Sequence, residues 1–281
     1  MSREAVAMPN DVRRRFLALH DSGLFVMPNP WDVGSAKLLE HLGFPALATT
    51  SAGHAASLGR HDQLVTRDEL IEHVRALAGA VNIPINVDAE RCFAETPERV
   101  AETVGLLISA GASGISIEDY DPTTNAIEET GLAVERVAAA VQAARAHGAL
   151  ITARAENHLY GANSLDDTIA RLCAYRDAGA AVLYAPGLIE IADIARVVNE
   201  VGAPVNVLAL AKGPSVGALG DVGVRRVSTG GALAFAAYGA LVRAASELLE
   251  HGTSTYALDG LKHADRKAFD VALSRGVRSG S

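Results

Sequence analysis

The sequence is poor in cysteine and in aromatic residues. Its 281 residues include two cysteines and one tryptophan, and only 5% are aromatic. Cys92 and Cys173 are far apart, so they form neither a disulfide framework nor the close spacing of a zinc site. Two isolated thiols are typical of a protein that works in a reducing compartment.

Basic charge and long apolar runs are also scarce. Lysine and arginine number 25 against 33 acidic residues, which gives a net charge of -8. We therefore expect no nucleic-acid partner and no anionic membrane surface. The sequence shows no clean apolar run of membrane-spanning length, and its N-terminal residues lack the apolar core of a signal peptide. These features predict a cytoplasmic globular protein without a membrane partner.

What the sequence does contain is a regular alternation of short apolar segments and amphipathic segments. The alternation occurs eight times, with short connections. Alternating strand and helix units build parallel sheets with right-handed crossovers, and eight such units close into a barrel. The predicted fold is therefore an α/β (β/α)8 TIM barrel. A doubly wound open sheet is the competing fold, but no GxGxxG turn follows the first strand.

The chain is predicted to form one domain and an extension. Residues 1–252 are assigned to the barrel, which includes an extra helix before the first strand. Residues 253–281 follow the last barrel helix and form a C-terminal helical segment. We expect this segment to pack on a neighbouring subunit and to be disordered at its end.

Charged residues gather where the predicted strands end. The segment IPINVDAERCF runs from an apolar strand into Asp88 and Glu90, the next strand ends at Glu118, and the following one ends at Arg154. In a barrel these strand ends meet on one face, where the active site lies. Carboxylates held close together are costly unless a cation lies between them. The pattern therefore predicts a metal site.

Six motifs occur in a fixed order between residues 10 and 250: PNPWDVGSA, TTSAG with SLGRHD, VDAE, SIED, TARAEN and PVNVLA. With these motifs the chain resembles the isocitrate lyase and phosphoenolpyruvate mutase superfamily, most of all its short-looped, mutase-like bacterial branch. The resemblance implies a Mg²⁺-dependent barrel enzyme that handles 2-oxo or 2-hydroxy acids through an enolpyruvate-like species. Mn²⁺ is an alternative because it takes the same oxygen ligands.

The resemblance also implies roles for individual residues. The implied metal ligands are Asp88, Glu90 and Glu118. The implied substrate contacts are Trp31, Ser51, Ala52, Gly53, Arg154 and Asn206. The implied catalytic residues are Asp62, Arg154, Asn125 and Cys92. Alternative interpretations stay open, because strand-end carboxylates also cap helices, Trp31 suits a core and Asn125 suits a turn.

The sequence departs from the superfamily pattern in two places. Relatives that cleave isocitrate or methylisocitrate carry a KxCGH-type loop after the SIED strand, whereas this chain has YDPTTNAIEETG, without cysteine. That difference argues against both substrates. Arg91, Cys92 and Phe93 replace the usual glycines after the acidic pair. Cys92 is either an acid beside the metal or a small buried hydrophobic residue, and an Arg91 that intrudes on the pocket would favour a non-catalytic protein.

Three hypotheses of function follow. The first is a Mg²⁺-dependent lyase that cleaves a C–C bond, or decarboxylates, a small 2-oxo or 2-hydroxy carboxylic acid through a pyruvate-enolate-like intermediate. The second is P–C chemistry of the phosphoenolpyruvate mutase or phosphonopyruvate hydrolase type. The third is a metabolite-binding barrel without catalysis. In each case the alanine-rich last helix, the C-terminal segment and the resemblance imply a homo-oligomer, either a dimer or a tetramer.

Overall fold

A computed structural model describes residues 9–161, 164–263, 265–267 and 270. The strands are β1 (Phe25–Met27), β2 (Leu47–Ala48), β3 (Ile85–Asp88), β4 (Gly114–Glu118), β5 (Tyr120–Asp121), β6 (Ala126–Ile127), β7 (Leu150–Arg154), β8 (Val182–Tyr184), β9 (Val205–Leu208) and β10 (Arg226–Ser228). The α-helices are α1 (Pro9–Ala18), α2 (Val33–His41), α3 (Ser51–Ser57), α4 (Arg67–Ala80), α5 (Pro97–Ser109), α6 (Thr130–Arg145), α7 (Leu165–Asp177), α8 (Ile191–Val201), α9 (Val216–Asp221) and α10 (Ala232–His251).

Eight of the strands form a parallel barrel. Their order is β1-β10-β9-β8-β7-β4-β3-β2, and each hydrogen-bonded pair is parallel. The two outer strands are joined where the Ala48 N–H donates to the Pro28 carbonyl at 3.0 Å. The predicted (β/α)8 barrel is confirmed.

Helices cover the outside of the barrel, and local sequence signals define their ends. The side chain of Thr66 accepts from the Glu69 N–H while Glu69 accepts from the Thr66 N–H, a reciprocal cap that begins α4. Leu70, Val74 and Leu77 then recur at helical spacing and are buried on one face. The amphipathic segments therefore became the outer helices that the alternation predicted.

The extra N-terminal helix closes one end of the barrel. Phe16 of α1 is fully buried and packs with inward-facing apolar residues of the strands, such as Phe25, Leu150 and Val182. A Cβ at Gly114 would lie 2.7 Å from Phe16 Cε1, so glycine leaves the space that this ring fills. The helix is thus part of the barrel core.

Above this apolar end, the interior of the barrel is polar. The inward-facing side chains of the next layer are buried and hydrophilic: Asn86, Ser116, Thr152, Asn206 and Arg226. Residues between them in sequence, such as Val87 and Val227, point outward into the main hydrophobic cluster. This alternation follows from the two-residue period of a strand. It leaves a hydrophilic layer directly below the carboxyl ends of the strands.

Two local elements differ from the expectation. The polar stretch 120–131, predicted as a loop, contains the antiparallel pair β5 and β6, with Tyr120 opposite Ile127. Residues 51–53, for which the sequence predicted no helix, form the first turn of α3, with Thr50 as the N-cap. Two-residue strands and a seven-residue helix are too short to give a periodic signal, so the sequence did not reveal them.

The chain leaves the barrel at a helix end. Helix α10 stops at His251, and Gly252 takes a left-handed conformation with φ of 65°. A short 3-10 helix (Thr255–Asp259) follows, and residues 271–281, for which a disordered end is predicted, lie outside the described part of the chain. By length and composition alone α10 could cross a membrane, with a mean hydropathy of 1.4, a feature that the sequence reading missed.

Candidate active site

A cluster of charged side chains lies at the carboxyl ends of β3, β4 and β7. The Arg154 guanidinium is its centre. Nη1 is 2.7 Å from Asp88 Oδ1, and Nη2 is 3.2 Å from Glu118 Oε2. Nε donates to Glu156 Oε1 at 2.6 Å. The structure therefore brings together Asp88, Glu118 and Arg154, which the sequence had placed on three different strands.

A cavity of about 150 Å³ opens beside this cluster. Six of the predicted site residues line it: Ser51, Ala52, Asp62, Asp88, Arg154 and Asn206. Its depth reaches the polar layer, because Asn86, Ser116 and Arg226 also line it. The volume suits a molecule of a few carbon atoms.

The first turn of α3 is fixed against the Asp88 carboxylate. The Ser51 N–H donates to Asp88 Oδ2 at 3.1 Å, and the Asp88 N–H donates to Thr49 Oγ1 at 2.8 Å. The Gly53 N–H donates to Thr50 Oγ1, and a Cβ at Gly53 would lie 2.6 Å from Thr50 Cγ2. Only glycine permits this close packing, which holds Ser51 and Ala52 at the cavity wall.

The site holds more carboxyl groups than Arg154 alone can pair. Burial raises the pKa of Glu90 to about 8, and the carboxylates of Asp88 and Asp62 add to the effect. Burial is also the main cause that raises the pKa of Glu118. Partial burial of the Asp62 carboxyl group, then the charge of Asp88, raises the pKa of Asp62. Crowded carboxyl groups of this kind are stabilised by an added cation.

The donor set fits a hard divalent cation. Within the described residues no three acidic, histidine or cysteine side chains converge on a common point, because the Arg154 guanidinium lies among the carboxylates. The groups present are nevertheless buried carboxylate oxygens in excess, the ligands that Mg²⁺ prefers. We therefore regard Asp88, Glu90 and Glu118 as suited to hold such an ion.

The backbone after β3 is strained. Glu90, Cys92 and Phe93 have φ values of 48°, 61° and 51°, in the left-handed region that glycine adopts most easily. The strain is held in place from both sides. Arg136 Nη2 donates to the Arg91 carbonyl at 2.6 Å, and the Glu118 N–H donates to the Glu90 carbonyl at 3.1 Å. Strained residues of this type cluster at functional sites.

Arg91 and Cys92 do not enter the cavity. Arg91 Nη2 is 2.6 Å from Glu128 Oε1, and its side chain points away from the strand-end cluster. Cys92 is fully buried in the main hydrophobic cluster, and burial raises the pKa of its thiol to about 12. Arg91 therefore does not intrude on the pocket, which was the condition that would favour a non-catalytic protein, and the placement of Cys92 favours the buried hydrophobic role over the acid.

Five further predicted residues do not line the cavity: Gly53, Glu90, Glu118, Trp31 and Asn125. Trp31 is half-buried beside Gly53, and its backbone N–H donates to Ser35 Oγ at 3.1 Å. Asn125 is exposed in the β5–β6 hairpin, where its Oδ1 accepts from the Tyr120 hydroxyl at 2.6 Å. Neither side chain lines the cavity in this structure.

Sequence reasoning missed some residues that shape the site. Tyr184, the last residue of β8, lines the cavity, and Arg154 Cζ lies 5.2 Å from the centre of its ring. Asp119 accepts from the Glu156 N–H at 2.8 Å and from the Tyr175 hydroxyl at 2.6 Å. It therefore helps to position Glu156, which pairs with Arg154. The position of Tyr184 at a barrel strand end was the available signal.

Comparisons with known proteins give a consistent result. The model of the family described as phosphoenolpyruvate phosphomutase matches residues 16–249. A solved structure from Burkholderia cenocepacia, named only as a lyase or mutase, is 47% identical, covers 93% of this chain and 96% of its own, and has a TM-score of 0.89. A "probable 2-methylisocitrate lyase 2" of Corynebacterium glutamicum is 29% identical over 85% of this chain and 81% of its own. An oxaloacetate decarboxylase of Rhodopseudomonas palustris is 32% identical over 56% of this chain and 57% of its own.

Proposed function

Because the chain belongs to the phosphoenolpyruvate phosphomutase family, an enzyme family of lyases and mutases, we propose that it is a Mg²⁺-dependent C–C lyase. Its substrate is a small 2-oxo or 2-hydroxy carboxylic acid, and Mn²⁺ can replace Mg²⁺. The observation that carries this proposal is the contact of Arg154 with Asp88, Glu118 and Glu156 beside a cavity. Relatives named 2-methylisocitrate lyase and oxaloacetate decarboxylase support C–C cleavage.

The metal site consists of Asp88, Glu90 and Glu118. Held there, Mg²⁺ would supply Lewis-acid polarisation of the 2-oxo group and would offset negative charge on the substrate oxygen. Arg154 lies against Asp88 and Glu118 beside the cavity. Arg154 binds the substrate carboxylate, since its planar donors match two carboxylate oxygens.

The remaining cavity residues orient the substrate and move a proton. Ser51 and Ala52 present the first turn of α3 to the carboxylate, and Asn206 closes the far wall of the cavity. For an oxaloacetate-like acid, the C3–C4 bond breaks, CO₂ leaves, and the bonding electrons form the enolate of pyruvate. Asp62 returns a proton to C3. Its raised pKa, caused first by partial burial, lets the carboxyl group carry that proton closer to neutral pH.

The cavity favours a small substrate over a tricarboxylate. Its volume is about 150 Å³, and the hairpin that replaces the cysteine-bearing loop contributes no residue to its lining. P–C chemistry has less support, because Asn125, the predicted catalytic residue of this hairpin, is exposed and bonded to Tyr120. Decarboxylation or retro-aldol cleavage is therefore the preferred reaction.

Conversion of oxaloacetate to pyruvate, followed by NMR with Mg²⁺ and with EDTA, tests the proposal. We expect metal-dependent turnover, and we expect Asp88→Asn to lower kcat/KM by on the order of 10²- to 10³-fold, as losses of charge-stabilising groups do. Asp68→Asn, at an exposed carboxylate, is the matched control and should keep the wild-type rate. Wild-type turnover by Asp88→Asn, or turnover that EDTA leaves unchanged, would contradict the metal site. Turnover of phosphonopyruvate alone would favour P–C chemistry.

A further inference from the structure

A second arginine lines the cavity from below. Arg226 is the first residue of β10 and belongs to the polar layer inside the barrel. It is only 1% exposed, yet it lines the same cavity as Asp88 and Arg154. No motif in the sequence singled it out.

The contacts of Arg226 are all to neutral groups. Nε donates to Asn206 Oδ1 at 2.8 Å, and Nη2 donates to Thr152 Oγ1 at 2.9 Å. Nη1 lies 3.4 Å from His20 Nε2. Within the described residues, Arg226 forms no ion pair with a carboxylate, whereas Arg154 forms three. Arg226 is thus a buried cation whose charge the protein does not balance by direct contact.

A buried charge without a counter-ion is costly, and proteins normally pair it. A purely structural explanation exists, since Arg226 joins the turn after α1, through His20, to the wall of the barrel. A neutral hydrogen-bonding residue could make the same link to His20. The structural explanation therefore does not account for a charged side chain at the floor of the cavity. The three contacts use three of the five guanidinium N–H groups, which leaves donors for an anion.

Asn206 fixes the direction of the guanidinium. Its Oδ1 accepts from Arg226 Nε, while its Nδ2 donates to Ser228 Oγ at 2.9 Å. These two hydrogen bonds hold the Asn206 amide in one orientation. The Asn206 amide in turn fixes the orientation of the Arg226 guanidinium plane. The floor of the cavity is therefore a preorganised cationic site opposite the strand-end cluster.

We infer that Arg226 binds the distal carboxylate of the substrate and thereby selects four-carbon dicarboxylates over monocarboxylates. The inference rests on the proposed function for the other end of the molecule, where Arg154 and the metal site hold the 2-oxo or 2-hydroxy carboxylate. With one arginine at each end of a small cavity, only a substrate with two suitably spaced carboxylates can contact both. Arg226 is a specificity residue, and Asn206 positions it.

Isothermal titration calorimetry with Mg²⁺ and a matched ligand pair tests this inference. Malate and 2-hydroxybutanoate share the 2-hydroxy carboxylate and a four-carbon chain, and only malate has the distal carboxylate. We expect the wild type to bind malate at least tenfold more tightly. In Arg226→Gln that ratio should fall to near one. In Arg225→Gln, the same substitution at the neighbouring residue outside the cavity, the ratio should be unchanged.

Oxalate separates failure of this inference from failure of the proposed function. Oxalate occupies only the metal end, so its affinity should agree within about twofold among all three proteins. The role of Arg226 would be overturned if Arg226→Gln still preferred malate. It would also be overturned if the wild type bound oxalate but did not prefer malate over 2-hydroxybutanoate. A wild type that does not bind oxalate with Mg²⁺ would instead overturn the metal site, and the malate ratio would still decide the role of Arg226.

Loss of a buried arginine can also prevent folding. Circular dichroism of Arg226→Gln identifies that case. In that case the wild-type ratio of malate affinity to 2-hydroxybutanoate affinity still tests the inference. Arg226→Lys gives a second test, because it keeps the positive charge and should keep a preference for malate. Equal binding of malate and 2-hydroxybutanoate by the wild type would overturn the inference without any variant.

Discussion

Arg154 and Arg226 line one cavity but have opposite surroundings. Arg154 contacts three carboxylates at the strand ends, whereas Arg226 contacts neutral groups in the barrel interior. The sequence indicated Arg154, because it ends a predicted strand within the TARAEN motif. Arg226 lies within an apolar strand, and its inward direction became evident only from the register with Asn206. Motifs and strand ends were predictable, and Asn206 was found through its motif, but Arg226 was not.

His20 should make stability depend on pH. Its Nδ1 bonds to the Phe16 carbonyl at 2.8 Å, and its Nε2 faces Arg226. Burial, then the charge of Arg226, lowers the pKa of His20 to about 4. The unfolded chain therefore binds the proton first as pH falls below about 6.5, and folding stability is lost between about pH 6.5 and 4.

Urea unfolding of the wild type and His20→Asn at pH 7.5 and pH 5 measures this effect. We expect the wild type to lose about 2 kcal/mol more than the variant between these pH values, since one pKa unit corresponds to about 1.4 kcal/mol. His41→Asn, at an exposed histidine, should behave like the wild type. Equal pH dependence of the wild type and His20→Asn would contradict the assignment.

At the scale of elements, the strand-end loop after β3 depends on the neighbouring hairpin. Glu128 accepts from Arg91 Nε and Nη2, and its Oε2 lies 3.2 Å from Arg136 Nε. Arg136 in turn holds the Arg91 carbonyl. This buried network lets Cys92 and Phe93 adopt left-handed backbone conformations, which glycine adopts most easily. The sequence showed the departure from glycine but not its compensation, which comes from residues about 40 positions away.

Glu128→Gln should therefore destabilise the protein strongly. The substitution leaves Arg91 and Arg136 buried without their shared carboxylate, and breaking a buried ion pair in this way costs about 3–5 kcal/mol. Glu129→Gln changes the exposed neighbour and should cost little. Chemical denaturation of both variants provides the measurement. A loss below about 1 kcal/mol for Glu128→Gln would show that the network does not hold the loop.

The helical elements were predictable where their pattern was long. Helix α4 follows a capping signal and a regular apolar spacing, and the long helix α10 ends at Gly252, where the predicted barrel domain also ends. The order of strands followed from the alternation itself. Short elements such as α3 and the β5–β6 hairpin depend on tertiary contacts, and these are not encoded in a local pattern. The contact of Asn125 with Tyr120 belongs to this hairpin and was not predictable for the same reason.

At the scale of the whole molecule, α10 leaves an apolar surface uncovered. Leu241, Val242 and Leu249 are exposed, with Leu249 at 88%. Helix α10 completes the eighth unit of a barrel, so contact with another protein surface explains its apolar residues more directly than a bilayer does. We propose, as the sequence predicted, that a second copy of the chain covers it.

Analytical ultracentrifugation at micromolar concentration tests the assembly. We expect a dimer or tetramer for the wild type. Leu249→Glu should weaken association, because it places a charge in the apolar contact. Leu42→Glu, at an exposed leucine on α2's C-terminal end, is the control and should leave the assembly intact. A monomeric wild type would remove the proposed assembly.

The presence of a metal-dependent carboxylate pocket is tested most directly by thermal unfolding with oxalate. Oxalate is a planar mimic of the pyruvate enolate, and a ligand that binds only the native state stabilises it by mass action. At about a hundredfold excess over Kd we expect about 2.7 kcal/mol, or several degrees in Tm, and only when Mg²⁺ is present. Asp88→Asn should abolish the shift. An oxalate shift of equal size in EDTA, or no shift at saturating oxalate with Mg²⁺, would contradict the assignment of Asp88, Glu90 and Glu118 as a metal site.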